Sequence, residues 1–129
     1  MKVIKPKSAP DSPYKLLIWD TAGAERLTMR NFTRNFFKRA HGIIICFDLS
    51  DLDSFQSVPR WINGIREICE TDIPLLLIGN KSDLRDCREV LREEAEQLAD
   101  EHNMVYIETS ARDNINLDMA FAEIADQVY

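Results

Sequence analysis

The sequence predicts a single α/β domain, and three observations carry that prediction. First, unbroken apolar runs recur and stop abruptly at a polar residue or a glycine: Lys15-Leu16-Leu17-Ile18-Trp19-Asp20, Gly42-Ile43-Ile44-Ile45-Cys46-Phe47-Asp48, Ile73 to Gly79, and Met104 to Glu108. Such runs are the signature of strands buried on both faces of a parallel sheet. Second, the last three runs are separated by stretches with helical spacing, and strands alternating with helices build a parallel sheet covered on both sides. Third, at 129 residues the chain is large enough for one real core and too short for two.

The elements follow in order. Met1 to Lys5 is a short strand candidate, and Pro6 to Pro13, with three prolines, is a loop or wide turn. Tyr14 to Asp20 is predicted as a buried strand. Ala24 to Arg39 is basic and polar with Met29, Phe32, Phe36 and Phe37, an irregular loop running into a helix. Gly42 to Asp48 is the next strand, and Ser50 to Asp53 a turn or cap. From Ser54, the residues Phe55, Val58, Trp61, Ile62, Ile65 and Ile68 have helical spacing. Pro59 either opens that helix near Val58 or kinks it, and Thr71-Asp72 ends it. Ile73 to Gly79 is a strand, Asn80 to Cys87 a polar loop, and Arg88 to His102 an acidic helix with Val90, Ala95, Leu98 and Ala99 inward. Met104 to Glu108 is the last strand, Thr109 to Asn116 a loop, and Leu117, Phe121, Ile124 and Val128 mark a final helix.

Charge and cysteine content narrow the function classes. The net charge is −6, which argues against a nucleic-acid binder. The charge is unevenly spread: residues 1–41 carry nine bases against three acids, so the remainder carries −12. Arg26, Arg30, Arg34 and Lys38 recur every fourth residue, which on a helix lines them up as a solvated face or a docking stripe for an acidic partner. Cys46, Cys69 and Cys87 are three in number, widely spaced and without a C-x-x-C pair, as expected of free thiols in a reducing, cytoplasmic setting. No apolar run is long enough to span a bilayer, and the start does not resemble a signal peptide.

Three loops follow three predicted strands and open on one rim of the sheet, where α/β proteins place ligands: Asp20-Thr21-Ala22-Gly23, Asn80-Lys81-Ser82-Asp83, and Glu108-Thr109-Ser110-Ala111. The Asp20 carboxylate can hold a magnesium ion, directly or through water. Gly23 lets backbone N–H approach a phosphate closely. The Asp83 carboxylate can accept two parallel hydrogen bonds from the N1–H and 2-amino groups of guanine, a pair adenine does not present. Asn80 can bridge neighbouring loops or reach the base N7, the stem of Lys81 can lie along the base plane, and backbone N–H near Ala111 can meet the guanine carbonyl. Taken singly, each of these residues is equally suited to loop capping.

These motifs resemble those of Ras-superfamily small GTPases, and more narrowly of Rab proteins, over nearly the whole chain from Tyr14 to Tyr129. Trp19-Asp20-Thr21-Ala22-Gly23 resembles the family's phosphate and magnesium loop. Asn80-Lys81-Ser82-Asp83 matches its N-K-x-D guanine motif, and Thr109-Ser110-Ala111 its S-A-K loop, with Arg112 at the usual lysine position. Phe36-Phe37-Lys38-Arg39-Ala40-His41-Gly42 is similar to the Rab stretch Y-Y-R-G-A-H-G. The resemblance implies a Ras-like P-loop NTPase G domain that binds GTP or GDP with Mg2+, hydrolyses GTP slowly and switches partners in vesicle traffic. It implies that Asn80, Lys81, Asp83, Ser110, Ala111 and Arg112 hold guanine, that Gly23 faces phosphate and Asp20 the magnesium, and that effectors or regulators dock on Ala24–Arg39.

The sequence also departs from that pattern. The family begins with a strand, a G-x-x-x-x-G-K-[ST] loop, a helix and a switch threonine, none of which is found in these 129 residues. The expectation is therefore a partial domain, N-terminally truncated, in which the Tyr14 and Gly42 strands lack a neighbour and invite self-association. The missing loop supplies most phosphate contacts, so nucleotide binding is expected to be weak. Ala24 stands where the family places its water-orienting glutamine, so hydrolysis is expected to be impaired and no catalytic residue is assigned. No C-terminal cysteine motif follows Tyr129, so no lipid anchor is expected and membrane association would run through partners. The alternatives are a pseudo-GTPase interaction module and a fragment with no role of its own.

Overall fold

The computed structural model describes residues 3–4, 14–21, 35, 37–69 and 72–128. A parallel three-stranded sheet forms the centre: β3 (Ile43–Asp48), β4 (Leu75–Asn80) and β5 (Val105–Glu108), in that spatial order. Register runs from Ile43 opposite Leu75 to Asp48 opposite Asn80, and Gly79 lies opposite Glu108. The polar ends of all three strands thus share one rim. A separate antiparallel pair joins β1 (Val3–Ile4) to β2 (Tyr14–Lys15).

Four helices follow β3 in the chain: α1 (Leu52–Gln56), α2 (Val58–Ile68), α3 (Arg92–Glu101) and α4 (Leu117–Val128). Alternation of side chains along the strands gives the sheet two apolar faces. On one, Ile43, Ile45, Phe47, Leu75 and Leu77 pack with Val58, Ile62 and Ile65 of α2 and Ala95 and Ala99 of α3. On the other, Leu76, Ile78 and Ile107 pack with Ala120 and Ile124 of α4. Leu76, Leu77 and Ile62 have no exposed surface at all. No helix among the described residues is long and apolar enough to cross a membrane.

Several boundaries move, each for a local reason. The helix expected from Ser54 is two helices. Asp51 caps the first, its carboxylate accepting from the Ser54 N–H at 3.2 Å, and Pro59 falls in the opening turn of the second, where its missing N–H costs nothing. That second helix stops at Ile68, before Asp72 is reached, where Cys69 is extended. β4 begins at Leu75 because Pro74 has no N–H for the ladder, although its carbonyl accepts from Ile43 N–H at 2.9 Å. Residues Arg88 to Val90 are not helical. The Glu89 and Val90 N–H groups both donate to the Leu49 carbonyl, at 2.8 and 3.2 Å, and the helix starts at Arg92.

The largest correction concerns Tyr14–Asp20, expected as a buried strand. Only Tyr14–Lys15 is strand, and Leu17, Ile18 and Trp19 are 73%, 60% and 65% exposed. An apolar strand is buried only between neighbours, and among the described residues β3 pairs with β4 alone. The strand expected over Met1–Lys5 is seen at Val3–Ile4. The Pro6–Pro13 loop, Gly23, Ala24 and most of the Ala24–Arg39 segment, with the Arg26, Arg30 and Arg34 stripe, lie outside the described residues. Phe37 is buried in the core, and Lys38 and Arg39 are exposed beside it.

Candidate functional site

The rim where β4 and β5 end is built by cross-loop hydrogen bonds. Gly79 carbonyl accepts from Thr109 N–H at 2.9 Å and Thr109 carbonyl from Ser82 N–H at 3.0 Å, so the two loops leave the sheet as a stapled pair. Thr109 and Ser110 are 2% and 0% exposed. Buried hydroxyls require partners, and both find them in the neighbouring loop. The Thr109 hydroxyl donates to Asn80 Oδ1 at 3.1 Å, and the Ser110 hydroxyl to Asp83 Oδ1 at 2.6 Å. Ser110 Oγ in turn accepts from the Asp113 N–H at 3.0 Å.

This arrangement fixes the two side chains on which guanine recognition would depend. Asp83 is half-buried at the rim with its carboxylate held by Ser110. An ionised carboxylate offers about four lone-pair sites, so one bond from Ser110 leaves acceptors for a base with two parallel N–H donors. Asn80 bridges the loops through its carbonyl oxygen, which also receives the Ala111 N–H at 3.3 Å. That N–H is thus directed at Asn80, where a guanine carbonyl was the expected partner. Arg112 is exposed in the turn that follows.

Lys81 adopts φ 63°, a left-handed conformation uncommon for a side chain of its size. Its ammonium contacts Asp48 Oδ2 at 2.6 Å, a residue of the β3 terminus that sequence reasoning did not single out. Desolvation works to raise the Asp48 carboxyl, but hydrogen bonds from Lys81 and from the Ser50 hydroxyl and N–H together hold it below its ordinary value. Lys81 is held above its own, first by the hydrogen bond to Asp48. The sequence signal for Asp48 was its place as the polar stop of an apolar run, one strand across from Asn80.

Asp20 and Thr21 are exposed. Asp20 lies close enough to β3 that its charge helps raise the Cys46 thiol, after the desolvation of that sulfur. No group of three or more His, Cys, Asp or Glu side chains among the described residues is placed to hold a metal ion. Asn80, Asp83 and Ser110 are brought together with Lys81 beside them, and Asp20 is not joined to that group by any hydrogen bond among the described residues.

The sequence profile of the Ras family matches residues 2–129. The chain is similar to Ras-related protein Rab-26 of Mus musculus, 41% identical over 114 residues, which is 88% of this chain and 43% of that protein. It is similar to Ras-related protein Rab-11A of Dictyostelium discoideum, 41% identical over 115 residues, 89% of this chain and 53% of that protein. It is similar to Ras-related protein RABD1 of Arabidopsis thaliana, 42% identical over 114 residues, 88% of this chain and 55% of that protein. The chain spans about half the length of the curated relatives it matches.

Proposed function

This chain belongs to the Ras family, and on that premise we propose that its rim selects guanine and that it acts as a Rab-like switch component in membrane traffic. The observation that carries the reading is the Ser110–Asp83 and Thr109–Asn80 pairing, which preorganises two guanine-reading side chains before any ligand arrives. Asp83 accepts from the base, Asn80 and Ser110 hold the loops, and Lys81 can leave Asp48 to lie along the base. Arg112 and the Ala111 backbone line the same edge. The ligand is GTP or GDP with Mg2+, with Asp20 assigned to the metal and Gly23, outside the described residues, assigned to phosphate by the family motif.

The rim by itself offers the base only a few hydrogen bonds, so these contacts alone hold the nucleotide weakly. Hydrolysis is impaired further by Ala24, which has no group to position water. Its setting is cytoplasmic, with membrane association through effectors or regulators on the Ala24–Arg39 segment. Competition between GDP and ADP for the purified chain in magnesium tests the core of this reading. Preference for GDP is expected, and equal competition by ADP overturns it.

A second reading is a pseudo-GTPase interaction module. It is favoured by the exposure of Leu17, Ile18 and Trp19 and by a β3 edge that pairs with no strand among the described residues. An open strand edge can take an added strand from a partner.

A further inference from the structure

Directly beneath the two rim loops lies a polar cluster that the motifs do not include. Glu108 is the last residue of β5, one residue before Thr109. Arg88 grips its carboxylate with both terminal nitrogens, Nη1 to Oε2 at 3.0 Å and Nη2 to Oε1. The Tyr106 hydroxyl donates to the same carboxylate at 3.0 Å. Arg88 is itself immobilised: its Nε donates to the Val90 carbonyl at 2.7 Å, and Val90 is fully buried with its N–H on Leu49. The Glu108 carbonyl accepts from Asn116 Nδ2 at 2.8 Å, so the same residue also ties down the far end of the loop. The side chains of Arg88 and Glu108 are only 29% and 14% exposed. A two-pronged ion pair shielded in this way holds geometry more firmly than a surface pair.

We propose that Arg88 and Tyr106 are positioning residues which, through Glu108, set the placement of the Thr109–Arg112 loop and with it the guanine selectivity of the rim. The chain of contacts is short. Arg88 and Tyr106 fix Glu108; Glu108 fixes the exit of β5; Thr109 and Ser110 then meet Asn80 and Asp83. None of the three cluster residues belongs to the Asn80–Asp83 motif. The loop itself is a single turn closed by mutual backbone bonds between Ser110 and Ile115, at 3.2 and 2.9 Å. Its orientation is thus inherited from the strand that feeds it, and its placement controls whether Asp83 meets both guanine donors or one.

The selectivity half rests on the guanine reading above, so the test has an arm that does not. Amide hydrogen exchange is measured on the nucleotide-free full chain for the parent, Arg88→Met, Arg88→Lys and Tyr106→Phe. Expected is about tenfold faster exchange at Ala111, Asp113 and Ile115 in Arg88→Met, with the β3–β4 ladder unchanged, since local openings are separable from global ones. Arg88→Lys, which keeps the charge and loses the fork, should fall between. Tyr106→Phe, which keeps the ring and loses one hydrogen bond, should shift the same amides in the same direction. Exchange that is unchanged at these amides, or that rises equally through the sheet, overturns the proposal. In the second arm, the ratio of GDP to IDP affinity is compared, because inosine lacks the 2-amino group. The ratio should fall about fivefold in Arg88→Met, on the order of 1 kcal/mol, and recover in Arg88→Lys. A parent that binds neither nucleotide defeats the guanine reading, and the exchange arm alone then decides the positioning claim.

Discussion

Ser110, which is fully buried, donates its hydroxyl to Asp83 across 2.6 Å, so a residue of the β5 loop sets the orientation of a carboxylate in the β4 loop. Removing that hydroxyl should matter more than its size suggests. Ser110→Ala takes away a hydrogen bond to a charged group and leaves the Asp113 N–H without its acceptor. Stability should drop by about 1–3 kcal/mol, and preference for guanine should decline together with it. Urea titration and nucleotide competition on one preparation measure both. Asp83→Asn makes a sharper comparison: the nucleotide preference should move from guanine toward xanthine, which has a carbonyl where guanine has its amino group. An unchanged preference would remove Asp83 from the site.

Affinity for the intact nucleotide should be low. The rim supplies a few base contacts of about 0.5–1.5 kcal/mol each. Calorimetry of the purified chain with GDP and magnesium should show binding weaker than about 1 μM, the level at which some 8 kcal/mol would be required. Submicromolar affinity would mean that phosphate is held by residues not identified here.

Gly79 and Tyr106 should be coupled. A Cβ on Gly79 would come 2.6 Å from the Tyr106 hydroxyl and 2.9 Å from Leu49 Cδ2. Gly79→Ala should therefore cost about 1–3 kcal/mol, the usual range for overpacking, and push Tyr106 off Glu108. In the Tyr106→Phe background the obstructing oxygen is gone, so the same change should cost less. A double-mutant cycle on unfolding free energies gives the coupling, and strict additivity would show that Leu49 and Phe47, rather than the Tyr106 hydroxyl, are the obstacle.

Acid should weaken the rim in a defined direction. Burial tends to raise the Glu108 carboxyl, yet Arg88 and Tyr106 outweigh it and hold the group below its ordinary value of 4.5. Asp48 is likewise held below 3.8. For a carboxylate depressed in the folded state, the unfolded chain binds the proton first. The stabilisation is then complete above the ordinary carboxylate range and is lost as pH falls through the folded value. Stability should be flat near neutrality and fall with acid below about pH 4. Glu108→Gln should shallow that fall. Urea midpoints at several acidic pH values measure the slope, and identical slopes for parent and variant would contradict the assignment.

The open sheet edge should make the chain self-associate. Leu17, Ile18 and Trp19 are largely exposed, and β3 offers one unpaired side among the described residues. Exposed strand edges pair with other chains. Sedimentation at several concentrations should show mass rising with concentration, and Ile18→Lys should suppress it. A concentration-independent monomer would mean that the edge is covered.

The sheet and its helices were legible because each buried strand is an uninterrupted apolar run and each helix shows its own period. Pro59 left two readings open, a helix start or a kink, and the structure takes the first; Pro74 was passed over, so the expected strand begins two residues early, at Ile73. Asn80, Lys81 and Asp83 were legible as one rim loop, since they follow a single apolar run; that they read guanine is our proposal. Asp48 and Arg88 were not. Asp48 read only as a strand stop and Arg88 only as the start of an acidic helix, because the partners that define them lie 33 and 20 positions away in sequence.

By itself, then, the sequence determined the alternation of strand and helix and the polar rim at the strand ends, both properties of residues close together along the chain. Only the tertiary structure decided that Tyr14–Asp20 stays largely outside the sheet, that Lys81 is held by Asp48, and that Ser110 and Thr109 hold Asp83 and Asn80. The physical reason is the same in each case. Burial and pairing depend on what lies alongside: an apolar run without a flanking strand remains exposed, and a buried hydroxyl takes its partner from whichever loop the sheet register brings within reach.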